Sequence, residues 1–395
     1  MSSIISTHIH PMRYMRNRPF ARKAMQLYRR TVGRGIPTNA WIQEIGEMMM
    51  PIYNDVIMAL PREKRPERPT AMLVQEASLA GHVGAFVEHG RNIFFLEPPL
   101  VRLLDQTDLT NVRCGDVQLP FDCFHISFGD AFDGALSGAP NKIDGAYITS
   151  HPGWSDSLQI LVTTRRLDQQ HPDKPNRWPF SRDVYFYAPL DVSDPEATFE
   201  DVVRAAIEDG EIKIEQSVMV PDEDEVVELP GGPVLVRDVR HLTDAEETAL
   251  TREGLPMFRR ALALVVNALC YLNATVGETE AKLLPDDSPA DLAANWQSAK
   301  VSLRDRAKAG LLERGFMPVV VRTGDPAIGA GTDEGGGGGG GHVSAHWRRG
   351  HWRRQPHGQG RAQIKLVWIR PTLVAIDQGA VPDTKGHLYR LSSGE

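Results

Sequence analysis

Seven consecutive glycines at residues 335–341 divide this chain of 395 residues. Polyglycine has no side chain to pack and behaves as flexible coil, so residues 323–341 read as a linker. Any large core must lie before it. The residues beyond it form a tethered element, docked on the body or offered to a partner. With 41% hydrophobic residues the chain can bury a sizeable core. The expected organisation is a basic helical region over 1–69, an α+β body over 70–322, the linker 323–341, and a basic His/Trp/Arg element over 342–395.

Periodicity gives the elements. Trp41, Ile45, Met48, Ile52 and Val56 recur at helical spacing, with Pro51 as a kink and Pro61 as a stop. Ile93-Phe94-Phe95-Leu96 reads as a short buried strand, and Leu100, Leu103 and Leu104 as a helix after Pro98-Pro99. Residues 121–128, 145–149, 158–164 and 184–187 read as further strands. The expected class is α+β, an antiparallel sheet packed by helices, with a tethered β-like basic element at the end. Thr198 with Asp201 marks a helix start and Gly210 its end. Residues 221–250 read as an acidic stretch broken by Gly and Pro. Pro256 reads as the opening of a long helix through Phe258, Leu262, Val265, Leu269 and Leu272, apolar nearly all round and therefore central. Residues 291–314 read as one more helix, ended by Gly315.

The net charge of -7 hides an asymmetry. No acid precedes Glu44, whereas residues 191–256 hold 19 acidic against 5 basic side chains, a local sum of -14. Such blocks speak of partners and not of fold. The basic ends can meet nucleic acid, or the acidic middle of the same chain. Three cysteines without a CxxC pair argue against a disulfide framework and a cysteine zinc site. No leader pattern opens the chain and no run of about 18 apolar residues occurs, so a cytoplasmic location without membrane contact is expected. Cys270 reads as an inert core thiol. Cys123 and His125 share a strand face, where packing is the expected reading over a nucleophile pair.

The segment over 342–361 carries the sharpest signal. It holds five Arg, four His and two Trp and no acid. The side chains of interest are His346, Trp347, Arg348, Arg349, His351, Trp352, Arg353, Arg354 and Arg361, with Lys365, Trp368 and Arg370 on the next, strand-like run. Guanidinium groups bind phosphate bidentately and indoles stack on unpaired bases, so the pattern suits RNA. The same ribbon suits docking on the acidic region, with Trp347 and Trp352 as packing anchors. Two further readings stay open beside these. His342, His346 and His351 have intervals that could ligate zinc, but no cysteine or carboxylate completes a shell and arginines surround them. His346, His351 or His357 could act as acid and base in an RNA-cleaving enzyme, though no spacing specifies it. No catalytic residue, metal or cofactor is therefore assigned.

The run from His346 to Arg361, HWRRGHWRRQPHGQGR, followed by Lys365-Leu-Val-Trp-Ile-Arg-Pro-Thr-Leu-Val374, resembles the C-terminal signature of the second type V-A anti-CRISPR family. Weaker likeness lies at Asn92–Glu97, Leu119–Ile126 and Ile143–Ile148, and in the helix through Leu262 and Leu272. The resemblance implies a protein of a phage or plasmid that blocks production of a type V-A CRISPR effector nuclease. It implies recognition of the effector's nascent N-terminal polypeptide and loss of its messenger RNA, with that RNA or the ribosome as a further partner. The family supplies no catalytic residues to carry over. An RNA-cleaving enzyme and a general nucleic-acid-binding accessory protein are the alternatives. The basic N-terminus, the acidic middle and the glycine linker depart from the family pattern.

Overall fold

The computed structural model describes residues 3–17, separate positions between 26 and 51, and 54–65, 69–134, 141–150, 157–166, 185–208, 219–229, 232–241, 244–274, 282–322, 346–348, 350–369 and 372–374. The linker 323–341 lies outside the described residues.

The chain is α+β, as its pattern predicts. Its helices are α1 (His10–Asn17), α2 (Pro69–Glu88), α3 (Pro98–Asp105), α4 (Phe199–Glu208), α5 (Asp244–Ala274), α6 (Ala290–Trp296) and α7 (Val301–Glu313). Its strands begin with β1 (Ile93–Leu96), β2 (Thr107–Asp108), β3 (Cys123–Ser127), β4 (Asn141–Thr149), β5 (Leu158–Arg166) and β6 (Tyr185–Leu190). They continue with β7 (Met219–Leu229), β8 (Gly232–His241), β9 (Lys282–Leu283) and β10 (Val319–Arg322). The C-terminal strands are β11 (His346–Arg348), β12 (Gly350–His357), β13 (Gln363–Ile369) and β14 (Thr372–Val374).

A seven-stranded sheet in the order β6-β5-β4-β3-β1-β10-β9 organises the body. It is mostly antiparallel, but β1 runs parallel to both neighbours, β3 and β10. The antiparallel expectation holds for most of the sheet, with parallel pairing confined to β1 and its two neighbours. The reason is visible in β1, whose four residues are all buried. Phe94 and Leu96 enter one core and Ile93 and Phe95 the other. A strand covered on both faces reads as a continuous apolar run without alternation.

The first core joins α3, α4 and α5 to the sheet through residues such as Phe124, Ile148, Phe186, Leu262 and Leu269. The second joins α1 and α2 through Ile9, Met12, Val83, Phe86 and Tyr147. The described residues between 43 and 56 that carry an assignment are helical, and Val56, Ile57 and Leu60 pack into the second core.

Several expectations shift. Helix α2 carries small and apolar residues such as Leu79, Ala80, Val83 and Phe86, which pack into the second core. The acidic stretch contains an antiparallel hairpin, β7–β8, whose pairing runs from Met219↔His241 to Leu229↔Gly232. Helix α5 begins at Asp244, well before Pro256, which lies inside it. The missing N–H of Pro256 leaves the carbonyl four residues earlier without the usual helical partner. The helix expected over 291–314 is two helices. Between them the Ser298 hydroxyl accepts from the Lys300 N–H at 3.3 Å, a local bond that competes with helix. Gly310 lies on α7 where Leu292 of α6 comes close; a Cβ there would sit 3.1 Å from it. Gly315, with φ +77°, ends α7 as expected, and Phe316 N–H donates to the Leu311 carbonyl at 2.8 Å. Thr198 caps α4 as expected, accepting from Asp201 N–H at 3.1 Å.

Candidate nucleic-acid and partner interface

The signature segment folds as a long hairpin. Strands β12 and β13 pair from His351↔Ile369 to His357↔Gln363, and β2 joins in parallel through Gly350↔Thr107 and His351↔Asp108. The turn demands left-handed backbone at Gly358 (φ +78°) and Gly360 (φ +65°), which glycine supplies without a Cβ clash. Arg361 also takes φ +58°, an uncommon conformation for a non-glycine residue.

Alternation divides the hairpin into two faces. Inward go Trp352, opposite Trp368, and Arg354, opposite Leu366. Trp352 and Trp368 are each 1% exposed, with ring centroids 6.2 Å apart and planes 25° from parallel. Tyr271 of α5 meets Trp368 edge-on at 5.6 Å.

Each indole N–H has a partner. Trp352 Nε1 donates to Asn267 Oδ1 at 2.8 Å, and Trp368 Nε1 donates to Thr107 Oγ1 at 3.1 Å. The Asn267 amide nitrogen donates to the Leu104 and Thr107 carbonyls, both at 2.9 Å. Every buried polar atom of this group is therefore engaged, which fixes the hairpin against α5 and α3. Arg354 adds an ion pair to Asp116 at 2.9 Å.

This corrects the reading of Trp352 as a base-stacking residue: its ring is sealed in the core. It is an anchor, bonded to Asn267 of α5. Arg354 is likewise engaged with the body. The signal for Asn267 was present in the sequence as a polar residue in an otherwise apolar stretch of helix.

Outward go His351, Arg353, Gln355 and His357, opposite Ile369, Val367, Lys365 and Gln363. Arg353, Arg361 and Lys365 are exposed, and His351 and His357 half-buried. Beyond Arg354 the hairpin overhangs the body, so even inward-facing Pro356 and Ile364 are exposed, Ile364 at 51%. The result is a basic tongue with a rigid, core-anchored root. His346, Trp347 and Arg348 form β11, paired with Val374, Leu373 and Thr372 of β14. Their side chains, and Arg349 and Arg370, lie outside the described residues.

Among the described residues, His351 and His357 do not form a catalytic pair. His351 and His357 are six residues apart on one strand, roughly 20 Å at the usual rise. A general acid and base acting on one phosphate must both reach it. Among the described residues, no group of three or more His, Cys, Asp or Glu could hold a metal ion.

A second polar cluster lies under the opposite face of the sheet. Arg13 and Asp144 form a buried ion pair at 2.8 Å, with side chains 5% and 1% exposed. Arg13 also donates to the Thr7 and Thr164 carbonyls, and Thr163 Oγ1 donates to Asp144 at 2.7 Å. Beside it His10 Nδ1 lies 3.0 Å from the Tyr147 hydroxyl. The His125 ring meets Tyr147 at 4.7 Å, and neither of its nitrogens has a hydrogen-bond partner. Burial holds His125 well below the usual histidine range. Cys123, 3.3 Å from Thr149 Oγ1, is pushed up to about 12 by burial. A neutral histidine and a protonated, sealed thiol make packing, not a nucleophile pair. Cys270 is also buried, its thiol raised by desolvation. The segment Gly254–Ala274 of α5 is long and apolar enough to cross a bilayer, but 67% of its apolar window is buried in the protein. It is the core helix of the first layer.

Fold and site together define an α+β protein that presents a core-anchored basic hairpin. Residues 94–376 match the AcrVA2-like family, described as the anti-CRISPR type V subtype A2 family, and the chain belongs to it. A solved structure described as "Crystal structure of AcrVA2" is 12% identical, covers 89% of this chain and 93% of that one, and superposes with a TM-score of 0.34. That score is too low to carry an argument about geometry. No curated protein matches the chain.

Proposed function

We propose that this anti-CRISPR family member acts by binding, lowering production of a type V-A effector nuclease during its translation. The nascent N-terminal polypeptide of the effector is the recognised partner, and loss of the effector's messenger RNA is the outcome. In this reading the protein works in the bacterial cytoplasm and touches no membrane. The observation that carries it is the exposed basic face of the hairpin, where Arg353, Arg361 and Lys365 stand free of the core while Trp352 and Trp368 lock the root. Guanidinium and ammonium groups on a rigid strand pair suit phosphate of messenger or ribosomal RNA. Because the indoles at the root are sealed, the contact rests on phosphate and not on base stacking at Trp352.

Reporter messages test this directly. One carries the effector's first codons in frame. Its twin carries almost the same nucleotides shifted out of frame and restored downstream, so RNA sequence is kept and peptide is changed. The proposal expects loss of the in-frame message only. Equal loss of both would show that RNA and not peptide is read, and loss of neither would remove the proposed activity.

The RNA-cleaving alternative has less support, given the spacing of His351 and His357. Replacing both with Gln is expected to leave message loss intact.

A further inference from the structure

A cavity of about 180 Å³ lies at the β10–β9 edge of the large sheet, among residues none of which belongs to the C-terminal hairpin. Its floor is apolar, made by residues such as Leu311, Phe316 and Met317. Its polar lining comprises Arg91, Asn92, Lys282, Lys308 and Trp296, and no carboxylate lines it among the described residues. Three elements bring the cations together. Lys282 is the β9 partner of Val320 in β10. Lys308 rises from α7 and places its ammonium 5.7 Å from the centre of the Trp296 ring, at the end of α6. Arg91 sits in the turn after α2 in a left-handed conformation, φ +57°, directly after Gly90 at φ +102°. Gly90 caps α2 in a Schellman motif, with the Arg91 N–H donating to the Phe86 carbonyl at 3.0 Å.

Three cations in a chain of net charge -7 are a local reversal of sign. An apolar floor, a half-buried indole and the ammonium groups of two exposed lysines describe a ligand with a flat body and an anionic end. Lysine ammonium groups serve as point charges for phosphate, and an indole stacks on a base.

We propose that this cavity binds a single nucleotide, its phosphate held by Lys282 and Lys308 and its base set beside Trp296. The nucleotide is a free mononucleotide or the 5′-phosphorylated end of an RNA strand, which share this chemistry. The site is independent of the role proposed for the hairpin.

Calorimetric titration of the full chain tests it, with AMP and UMP as probes, inorganic phosphate and an acetylated Glu-Phe dipeptide amide as comparators, and a short 5′-phosphorylated RNA as the strand-end arm. Saturable one-to-one binding of a mononucleotide, stronger than phosphate, is expected. K282E and K308E, at exposed positions, should each weaken it at least tenfold. W296A should remove the advantage of nucleotide over phosphate, and R353E on the hairpin should change nothing. Tighter binding of the RNA than of mononucleotide assigns the site to a strand end; equal binding assigns it to free nucleotide. No nucleotide binding at millimolar concentration overturns the proposal. So does binding indifferent to K282E and K308E, or stronger binding of the acidic dipeptide that those variants abolish.

Discussion

Trp352 donates its indole N–H to the side-chain oxygen of Asn267, 2.8 Å away and 85 positions earlier in the chain. This bond ties a hairpin beyond the glycine linker to the helix at the centre of the first core. It turns what composition presents as a tethered ribbon into part of the folded body.

Breaking that bond should cost stability. Asn267→Ala leaves the Trp352 N–H and the Leu104 and Thr107 carbonyls without their partner. A loss of at least about 3 kcal/mol is expected, since each of the three buried unsatisfied groups costs about 1–3 kcal/mol. Trp352→Ala, which opens a large cavity, should cost about 3–5 kcal/mol. Urea unfolding at neutral pH measures both. A shift of the midpoint too small to resolve for Trp352→Ala means the hairpin is not seated in solution.

The β-like character of the C-terminal element is legible in the sequence, but its pairing as a hairpin and its orientation are not. The Arg/Trp alternation shows a two-faced strand, yet not which face is buried. Trp352 and Trp368 are cross-strand neighbours only because the turn over residues 358–362 sets the register, and short turns with several glycines do not announce it. The parallel placement of β1 was hidden for a different reason. Phe94 and Phe95 enter opposite cores, so the strand carries no alternation to read. The start of α5 is hidden for a local reason, since Pro256 inside the helix has the chemistry of a first-turn residue. By contrast Thr198 with Asp201 and Gly315 were readable, because capping chemistry is local.

The Arg13–Asp144 pair makes a second test of stability. Removing one partner strands a buried charge, so Arg13→Met or Asp144→Asn should destabilise by about 3–5 kcal/mol. Replacing both with apolar residues should recover part of that loss. If the double variant is as damaged as the sum of the singles, the charges are not coupled as the 2.8 Å contact implies.

Acid should weaken the fold in a defined window. Burial lowers His82 to about 3 and His125 well below its ordinary 6.5. Both are then neutral when folded and protonated when unfolded as pH falls below about 6.5. Their contribution is complete above 6.5 and is lost as pH drops from there toward the folded value. Each adds a slope of about 1.4 kcal/mol per pH unit within that window. Thermal or urea unfolding at pH 7 and pH 5 should show the decline, and His125→Leu should make it shallower. An unchanged slope in that variant means His125 does not contribute to the acid sensitivity.

Charge reversal on the outer face should separate binding from folding. Arg353→Glu, Arg361→Glu and Lys365→Glu lie at exposed positions, so each should move stability by no more than about 0.5 kcal/mol. RNA association, followed by filter binding across a salt series, should weaken and its salt slope should flatten as phosphate contacts are lost. Equal affinity of wild type and the triple variant at low salt would leave the tongue with a structural role alone.

The most direct measurement is recovery of the protein from translating cells that express a type V-A effector, with sequencing of the bound RNA and identification of attached nascent peptide. Effector messenger and its N-terminal peptide are expected with the wild-type chain, and neither with the Arg353, Arg361 and Lys365 charge-reversal variant of unchanged stability. Recovery of the same RNA and peptide by that variant, or of bulk RNA without preference for the effector message, contradicts a binding role for the hairpin in effector production.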